Sequence, residues 1–306
     1  MANSLDVAAI TGYVEERRLP ILRKMVLSPK STKLFTLQTG VKKNSKINLL
    51  DTTVVFGDGG NCGFNASGTS AFTQRQISAG DINVQFDWCD KKLLGTWGEY
   101  EVKVAANKIN SDVPFAEYLL AGVSEKVGKE LEKAIWQGDT TSETENLNKF
   151  DGLLKIIDAA SASVASYTTA AASATVYDRT MAVYNAIPDD VLEESVIYMS
   201  YSNFRALAAA LTDKNLFHYE HEVNGDMEMY VPNTNTKIIG VPGLVGKDYI
   251  IAMPPQHTFY GVDMEGDFED AKLWYSQDNQ SYRLNIDFVA GVQIAFPSEV
   301  VVNKKA

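Results

Sequence analysis

Three histidines, two cysteines and two glycine-rich turns are the parts of this 306-residue chain from which chemistry could be built. His218, Glu220 and His221 sit together in "HYEH". Zinc needs a third convergent ligand, and ligating histidines on a helix stand at i and i+4. His257, in "PPQHTF", is the remaining histidine, so the segment reads as a polar surface helix end. "GVPGLVGKD" (240–248) approaches a phosphate-binding loop, but Val241 stands where the first glycine belongs. Asp248 replaces the Ser/Thr that would hold magnesium, and its charge would repel phosphate. "GDGGNCG" (57–63) fails the dinucleotide pattern because Cys62 occupies the third glycine's position. No G-x-S-x-G elbow occurs, and nothing in the sequence sets a base beside Cys62. The carboxylate pairs Asp189-Asp190 and Glu193-Glu194 read as solvated helix faces. No catalytic, cofactor-binding or metal-ligating residue is therefore expected.

Composition narrows the class further. At 45% hydrophobic residues the chain is globular, and its length suits one large domain or two medium ones. No run nears the ~20 apolar residues of a membrane span. The first twenty residues do not read as a secretion signal. Two cysteines make no disulfide framework, so a reducing compartment is expected. The N-x-S matches at Asn65 and Asn279 read as chance. The net charge of −11 is uneven: residues 1–50 carry nine Lys/Arg against three acids, a net +6, leaving −17 on the rest. Such a balance disfavours tight DNA binding. A basic arm on an acidic body favours pairing with a neighbouring copy, although a solvated helix with scattered charges fits equally.

The elements follow from periodicity. Ser4 caps a helical pattern over Leu5, Ala8, Ile10 and Val14, interrupted at Pro20. Residues 46–56 read as a strand, and Ile82, Val84, Phe86 and Trp88 alternate with polar residues as a second. The glycine-rich stretch 57–71 between them reads as the tip of an extended hairpin, long enough to be functional or mobile. Residues 113–137 form the strongest helix, with an apolar residue at every fourth position from Phe115 to Ile135. It spans roughly 35–40 Å and stops at Gly138. A polar run follows, and "FDGLL" re-enters a core. Residues 159–175, rich in Ala, Ser and Thr, read as a loop or weak strand. Then come a helix (177–187), a strand (195–200), a helix (203–212) and strands over "MEMYV", "TKIIG" and "DYIIAM". The C-terminal part is β-rich: Tyr282, Leu284, Ile286 and Phe288 alternate with polar residues, and "GVQIAF" and "EVVVN" close the chain.

This order of parts resembles the major capsid protein of tailed phages, the Hong Kong 97-type fold. The residues that carry the resemblance are Glu132, Ala134, Ile135, Gly138 and Asp139 at the helix end, then Gly152, Leu153 and Leu154. "PDDVLEESVIYMSYSNFRALAAAL" resembles the family's next section. The resemblance implies an α+β fold with an N-terminal arm (1–45) and an extended β-hairpin loop (46–90). It further implies a peripheral domain with a long spine helix (91–151 and 266–306) and a mixed α/β axial domain (152–265). The implied function is a structural subunit of an icosahedral head, assembling as hexamers and pentamers around double-stranded DNA without sequence-specific binding. Implied partners are further copies of the chain, a separate scaffolding protein and a portal, with no membrane. The implied location is the virion, assembled in the host bacterial cytoplasm. Assembly residues are expected in the arm (Arg17, Arg18, Arg23, Lys24) and in the glycine-rich tip (Gly59, Gly60, Gly63, Phe64). No Lys–Asn crosslink is expected. An encapsulin-type nanocompartment shell is the nearest alternative. A soluble α/β enzyme without a recognisable motif, or a surface binding protein using the glycine-rich loop, are alternatives of other classes.

Overall fold

The computed structural model describes residues 25–53, 55–56, 68–89, 115–214, 227–232, 234–263 and 270–305, with single positions 95, 98, 99, 102 and 106. In chain order its elements are β1 (Thr36–Gln38), β2 (Asn44–Thr53), β3 (Thr69–Ser78), β4 (Gly80–Cys89), α1 (Phe115–Gln137), α2 (Leu153–Ala159), β5 (Ser166–Ala170), α3 (Val176–Asn185), β6 (Val196–Ser200), α4 (Tyr201–Asp213), β7 (Glu228–Tyr230), β8 (Lys237–Val241), β9 (Tyr249–Met253), β10 (Thr258–Val262), β11 (Asp270–Ser276), β12 (Ser281–Ile294) and β13 (Val301–Lys305). Among the described residues no helix is long and apolar enough to cross a membrane.

Two sheets and a separate hairpin result. In the five-stranded sheet, β4 runs along one side of β12. Along the other side run β10 and then β11, both antiparallel to β12, with β1 parallel to β10. The six-stranded sheet has the order β5-β13-β9-β6-β8-β7. Its central strands are buried on both faces. Tyr198, Ile251, Met253 and Val302 face the main core beneath α1, while Ile197, Met199, Ile250, Ala252 and Val301 face a second core under α3 and α4. Burial on both faces explains why "VIYM" and "YIIAM" read as unbroken apolar runs rather than alternations. Thr175 and Ser200 cap α3 and α4, each accepting a backbone N–H three residues on.

A polar knot ties this sheet to its helices. The buried Arg179 guanidinium donates to Asp248 Oδ1 at 2.6 Å and to Asn303 Oδ1 at 2.8 Å. Asn203 donates to the same Asp248 oxygen. Burial alone would raise the Asp248 carboxyl, but the bonds and charge from Arg179 and Asn203 overcome that and hold it below its usual range. The turn that approached a phosphate loop is thus a packing device. Gly243 lies where a Cβ would come within 2.2 Å of Trp136.

Several expectations need correction. The strand over 46–56 does not pair with the strand over 82–88. β2 pairs instead with β3, whose sequence "TSAFTQRQIS" is too polar to announce a strand, and β4 pairs with β12. Of the two readings given for 159–175, loop or weak strand, the second holds over residues 166–170, which form a strand parallel to β13. Strand β10, before residue 265, belongs to the five-stranded sheet, and β13, after it, to the six-stranded one. "HYEH", Cys62 and Asn65 lie outside the described residues. Asp189, Asp190, Glu193 and Glu194 are exposed, as a solvated surface requires.

Glycines along α1 provide a test of the packing. At Gly122, exposed on α1, a Cβ meets nothing within 4 Å. At Gly138 it would lie 2.5 Å from the Phe150 carbonyl oxygen, and at Gly152 2.5 Å from Gly138 N. Gly122→Ala should stabilise the protein by about 0.5–1 kcal/mol. Gly138→Ala and Gly152→Ala should each cost about 3 kcal/mol through overpacking. Urea unfolding of the three variants measures all three effects.

Candidate assembly surfaces

A shell-forming reading needs three things from the chain: a rooted arm, a rigid body and outward apolar contacts. The root lies where residues 25–35 cross α1. Successive turns of α1 present Ser124, Gly128, Glu132 and Trp136, all buried, as a stripe at i, i+4 spacing. Ser28 sits against Gly128, where a Cβ would lie 1.9 Å from its Oγ. Ser31 donates its backbone N–H to Glu132 Oε2 at 3.0 Å and its hydroxyl to Oε1 at 2.6 Å. The Trp136 indole N–H donates to the Ser31 hydroxyl oxygen at 2.7 Å. Met25 and Val26 are fully buried, and Phe35 packs its ring 6.0 Å from those of Trp136 and Tyr198. Lys30 donates to the Gly240 carbonyl. Burial pushes the Glu132 carboxyl above its usual range, against the bonds from Ser31 and Trp136 and the Lys30 charge.

The far end of α1 is closed by a neck. Gly152 N–H donates to the Gly138 carbonyl at 2.9 Å and Asp139 N–H to that of Leu147 at 2.7 Å. Lys155 Nζ bridges Asp139 Oδ1 and Asp151 Oδ1, each at 2.7 Å. Asp139 also accepts from the Thr141 N–H and hydroxyl, and Asp151 from those of Thr140. The Lys155 and Thr141 bonds bring the Asp139 carboxyl down to about 2. Residues 139–151 therefore form a loop with a fastened base. Its two ends feed rigid helices.

The β2–β3 ribbon projects from a glycine pad. Gly261 and Gly291 are register partners in β10 and β12. A Cβ at Gly291 would sit 2.8 Å from Ala79 Cα, and one at Gly261 would press on Val41 and Ile77. Val41, Ile77, Ile47 and Leu49 bury the ribbon's base. Further along, Leu50 and Phe72 stand opposite each other, 56% and 80% exposed. Phe56 is 96% exposed. The two side chains of the Leu50–Phe72 pair make a small exposed apolar feature across the ribbon. A second apolar feature is a groove of about 220 Å³ between β4 and α1, floored by Ile82, Val84, Phe86, Val127, Leu131 and Ala134.

The expected arm residues Arg17, Arg18, Arg23 and Lys24 lie outside the described residues, as do Gly59, Gly60, Gly63 and Phe64. Among the described residues no group of three His, Cys, Asp or Glu side chains converges on a metal-sized site. Sequence reasoning missed Leu50–Phe72 because β3 was not recognised, and it did not foresee the Glu132–Ser31 anchor. The i, i+4 stripe Ser124, Gly128, Glu132 was the available signal, since a carboxylate in line with small residues suggests a chain crossing the helix.

No protein-family model and no curated protein sequence matches this chain. Solved structures do share its fold. A chain of the satellite phage P4 procapsid with size determination (Sid) protein aligns with a TM-score of 0.65 at 10% identity, over 99% of this chain and 98% of that one. For Microbacterium phage Oxtober96 the values are 0.57 and 13%, over 91% of both chains. For the capsid of the empty GTA particle they are 0.55 and 10%, over 92% and 90%. At such identities the likeness is one of fold, and the fold is Hong Kong 97-like.

Two carboxyls shifted in opposite directions give opposite pH responses. Glu132 holds its proton above the ordinary glutamate value of about 4.3. Stability should fall as pH rises from there through the folded value, because the unfolded chain ionises first. Urea titrations from pH 4 to 8 should show this slope in the wild type and not in Glu132→Gln, which keeps an acceptor for Ser31. Glu132→Ala should cost about 2 kcal/mol by stranding the Ser31 N–H. Asp139, at about 2, contributes above the ordinary aspartate value of about 3.9 and loses that contribution only as pH falls toward 2. Exchange protection of the Thr141 amide should follow that acid limb.

Proposed function

We propose that the chain is the structural subunit of an icosahedral phage head, assembling as hexamers and pentamers that enclose double-stranded DNA. The observation that carries this reading is the correspondence of fold over nearly the full length of capsid chains. On this reading the subunit works by geometry and not by turnover. Its partners are further copies of itself, with a scaffolding protein and a portal during assembly. It resides in the virion and is assembled in the host bacterial cytoplasm.

The parts take roles accordingly. Within 1–45 the part before β1 serves as the arm, and within 46–90 the β2–β3 ribbon serves as the extended loop, while β1 and β4 join the five-stranded sheet. The peripheral domain is α1 with the five-stranded sheet. The axial domain is the six-stranded sheet with α2, α3 and α4, and it includes β13. Leu50 and Phe72 are the loop's contact with an adjacent subunit. Burying one such exposed aromatic contributes about 1.5–3 kcal/mol, and a shell repeats that contribution at every equivalent interface. The basic arm pairs with the acidic body of a neighbour, with Arg17, Arg18, Arg23 and Lys24 as its charges. The acidic body leaves packaged DNA free to slide.

Light scattering and negative-stain microscopy, on the chain alone and with neighbouring phage-like genes, should give rings, tubes or closed shells. A strictly monodisperse monomer under both conditions would count against a shell subunit. Paired Leu50→Ser and Phe72→Ser substitutions should leave a folded, soluble subunit whose assembly is lost or at least tenfold weaker. Reversing the arm with Arg17→Glu, Arg18→Glu, Arg23→Glu and Lys24→Glu should abolish or redirect assembly, and normal shells would remove the pairing role.

A further inference from the structure

The two sheets share one antiparallel ribbon, and both strands of the ribbon break at the same level. On one side of the break Ala252 of β9 faces Val301 of β13. On the other, Thr258 of β10 faces Ile294 of β12. Between these rungs one strand makes the 3-10 turn Pro255–His257 and the other makes Pro297–Glu299. Pro254, Pro255 and Pro297 lack the N–H that a continuous ladder would use. The chain therefore passes from the six-stranded to the five-stranded sheet, and back again, through two adjacent turns.

Very few bonds span this joint. Ala295 N–H donates to the His257 carbonyl at 2.9 Å. His257 Nδ1 lies 2.5 Å from Glu299 Oε2, in a pair whose side chains are only 31% and 20% exposed. The Phe296 ring meets the imidazole edge-on at 5.1 Å. The neighbouring Gln256 is fastened from both sheets. Its amide donates to the Glu194 carboxylate beside β6, and its carbonyl accepts from the Thr36 hydroxyl of β1.

We infer that the His257–Glu299 pair is a latch that fixes the angle at which the two sheets meet. The ladders on either side are rigid, because each is embedded in a sheet of five or six strands. A change of angle must be absorbed by the turns and by the core that both sheets share, and among the described residues the His257–Glu299 pair is the side-chain bond that joins the two turns. In a plate that tiles a closed surface, this angle sets local curvature, so the role in assembly rests on the shell-subunit reading. The latch itself is a property of the single subunit.

Glu299→Ala and His257→Gln separate the possibilities. Amide exchange on the soluble subunit should be about fivefold faster at Ala295, Ser298 and Glu299 in both variants. The ladder amides of Val301–Asn303 and Val292–Ile294 should be unchanged. Lys43→Ala, which removes a solvent-exposed pair with Asp81, should alter neither region. Unchanged exchange at Ala295, or equal acceleration in both ladders, would overturn the latch. In assembly reactions the two variants should broaden the distribution of shell diameters relative to wild type, and an unchanged distribution would overturn the curvature role. If the wild type forms no particles, the shell reading fails while the exchange data still decide the latch.

Discussion

Helix α1 has to be approached at backbone distance from several directions at once, and the rest of the molecule depends on that constraint. Ser28 crosses at Gly128, the 242–244 turn presses Gly243 onto Trp136, and Gly152 returns against Gly138. None of these approaches tolerates a methyl group in its present geometry. The helix thereby becomes the common wall of the main core, shared by the arm root, both sheets and the neck. Ser31, Glu132 and Trp136 add direction to this packing, because a fully buried carboxylate accepting two bonds from Ser31 fixes where the arm leaves the body. A displaced arm would leave that carboxyl group without its Ser31 hydrogen bonds in an apolar wall.

Rigidity elsewhere is achieved by different means. The six-stranded sheet is apolar on both faces, which alone would specify its register weakly. The Arg179–Asp248–Asn303 knot supplies the missing specificity, because its donors and acceptors meet in only one alignment of α3, β9 and β13. The five-stranded sheet has the opposite character. β4 keeps Asp81, Asn83, Gln85 and Asp87 wet and turns Ile82, Val84, Phe86 and Trp88 toward α1. The hairpin needs neither device, because the paired Gly261 and Gly291 let its base lie flat on the sheet. One chain thus combines a closely packed body with a ribbon that exposes apolar side chains at Leu50 and Phe72.

What could be read in advance follows from which forces leave a local trace. α1, β4 and the first part of β12 declared themselves because each buries one face and wets the other. β6 and β9 showed as apolar runs, yet nothing in "VIYM" says which residue enters which core. β3 and β5 were obscured because their polar side chains stabilise nothing locally and they owe their form to a partner strand. The Gly261–Gly291 pad was equally hidden, since its meaning depends on a register between residues thirty apart. Glu132 and Gly138 were noticed through resemblance to a known capsid family, but the reason for them, a crossing chain and a returning one, is a fact of three dimensions. The arm charges and the glycine-rich tip concern residues outside the described part of the chain, so the structure adds nothing to them.

The neck at Gly138 and Gly152 has a consequence for how such a protein can diversify. Because the base of the 139–151 loop is fastened by backbone bonds and by Lys155, its length is decoupled from the position of α1 and α2. Extending a loop whose ends are already fixed costs little, about 0.6 kcal/mol for each doubling. Lineages can therefore accumulate inserted sequence here, including whole folded modules, while the body of the subunit stays unchanged. The same property makes this loop a natural carrier for foreign peptides.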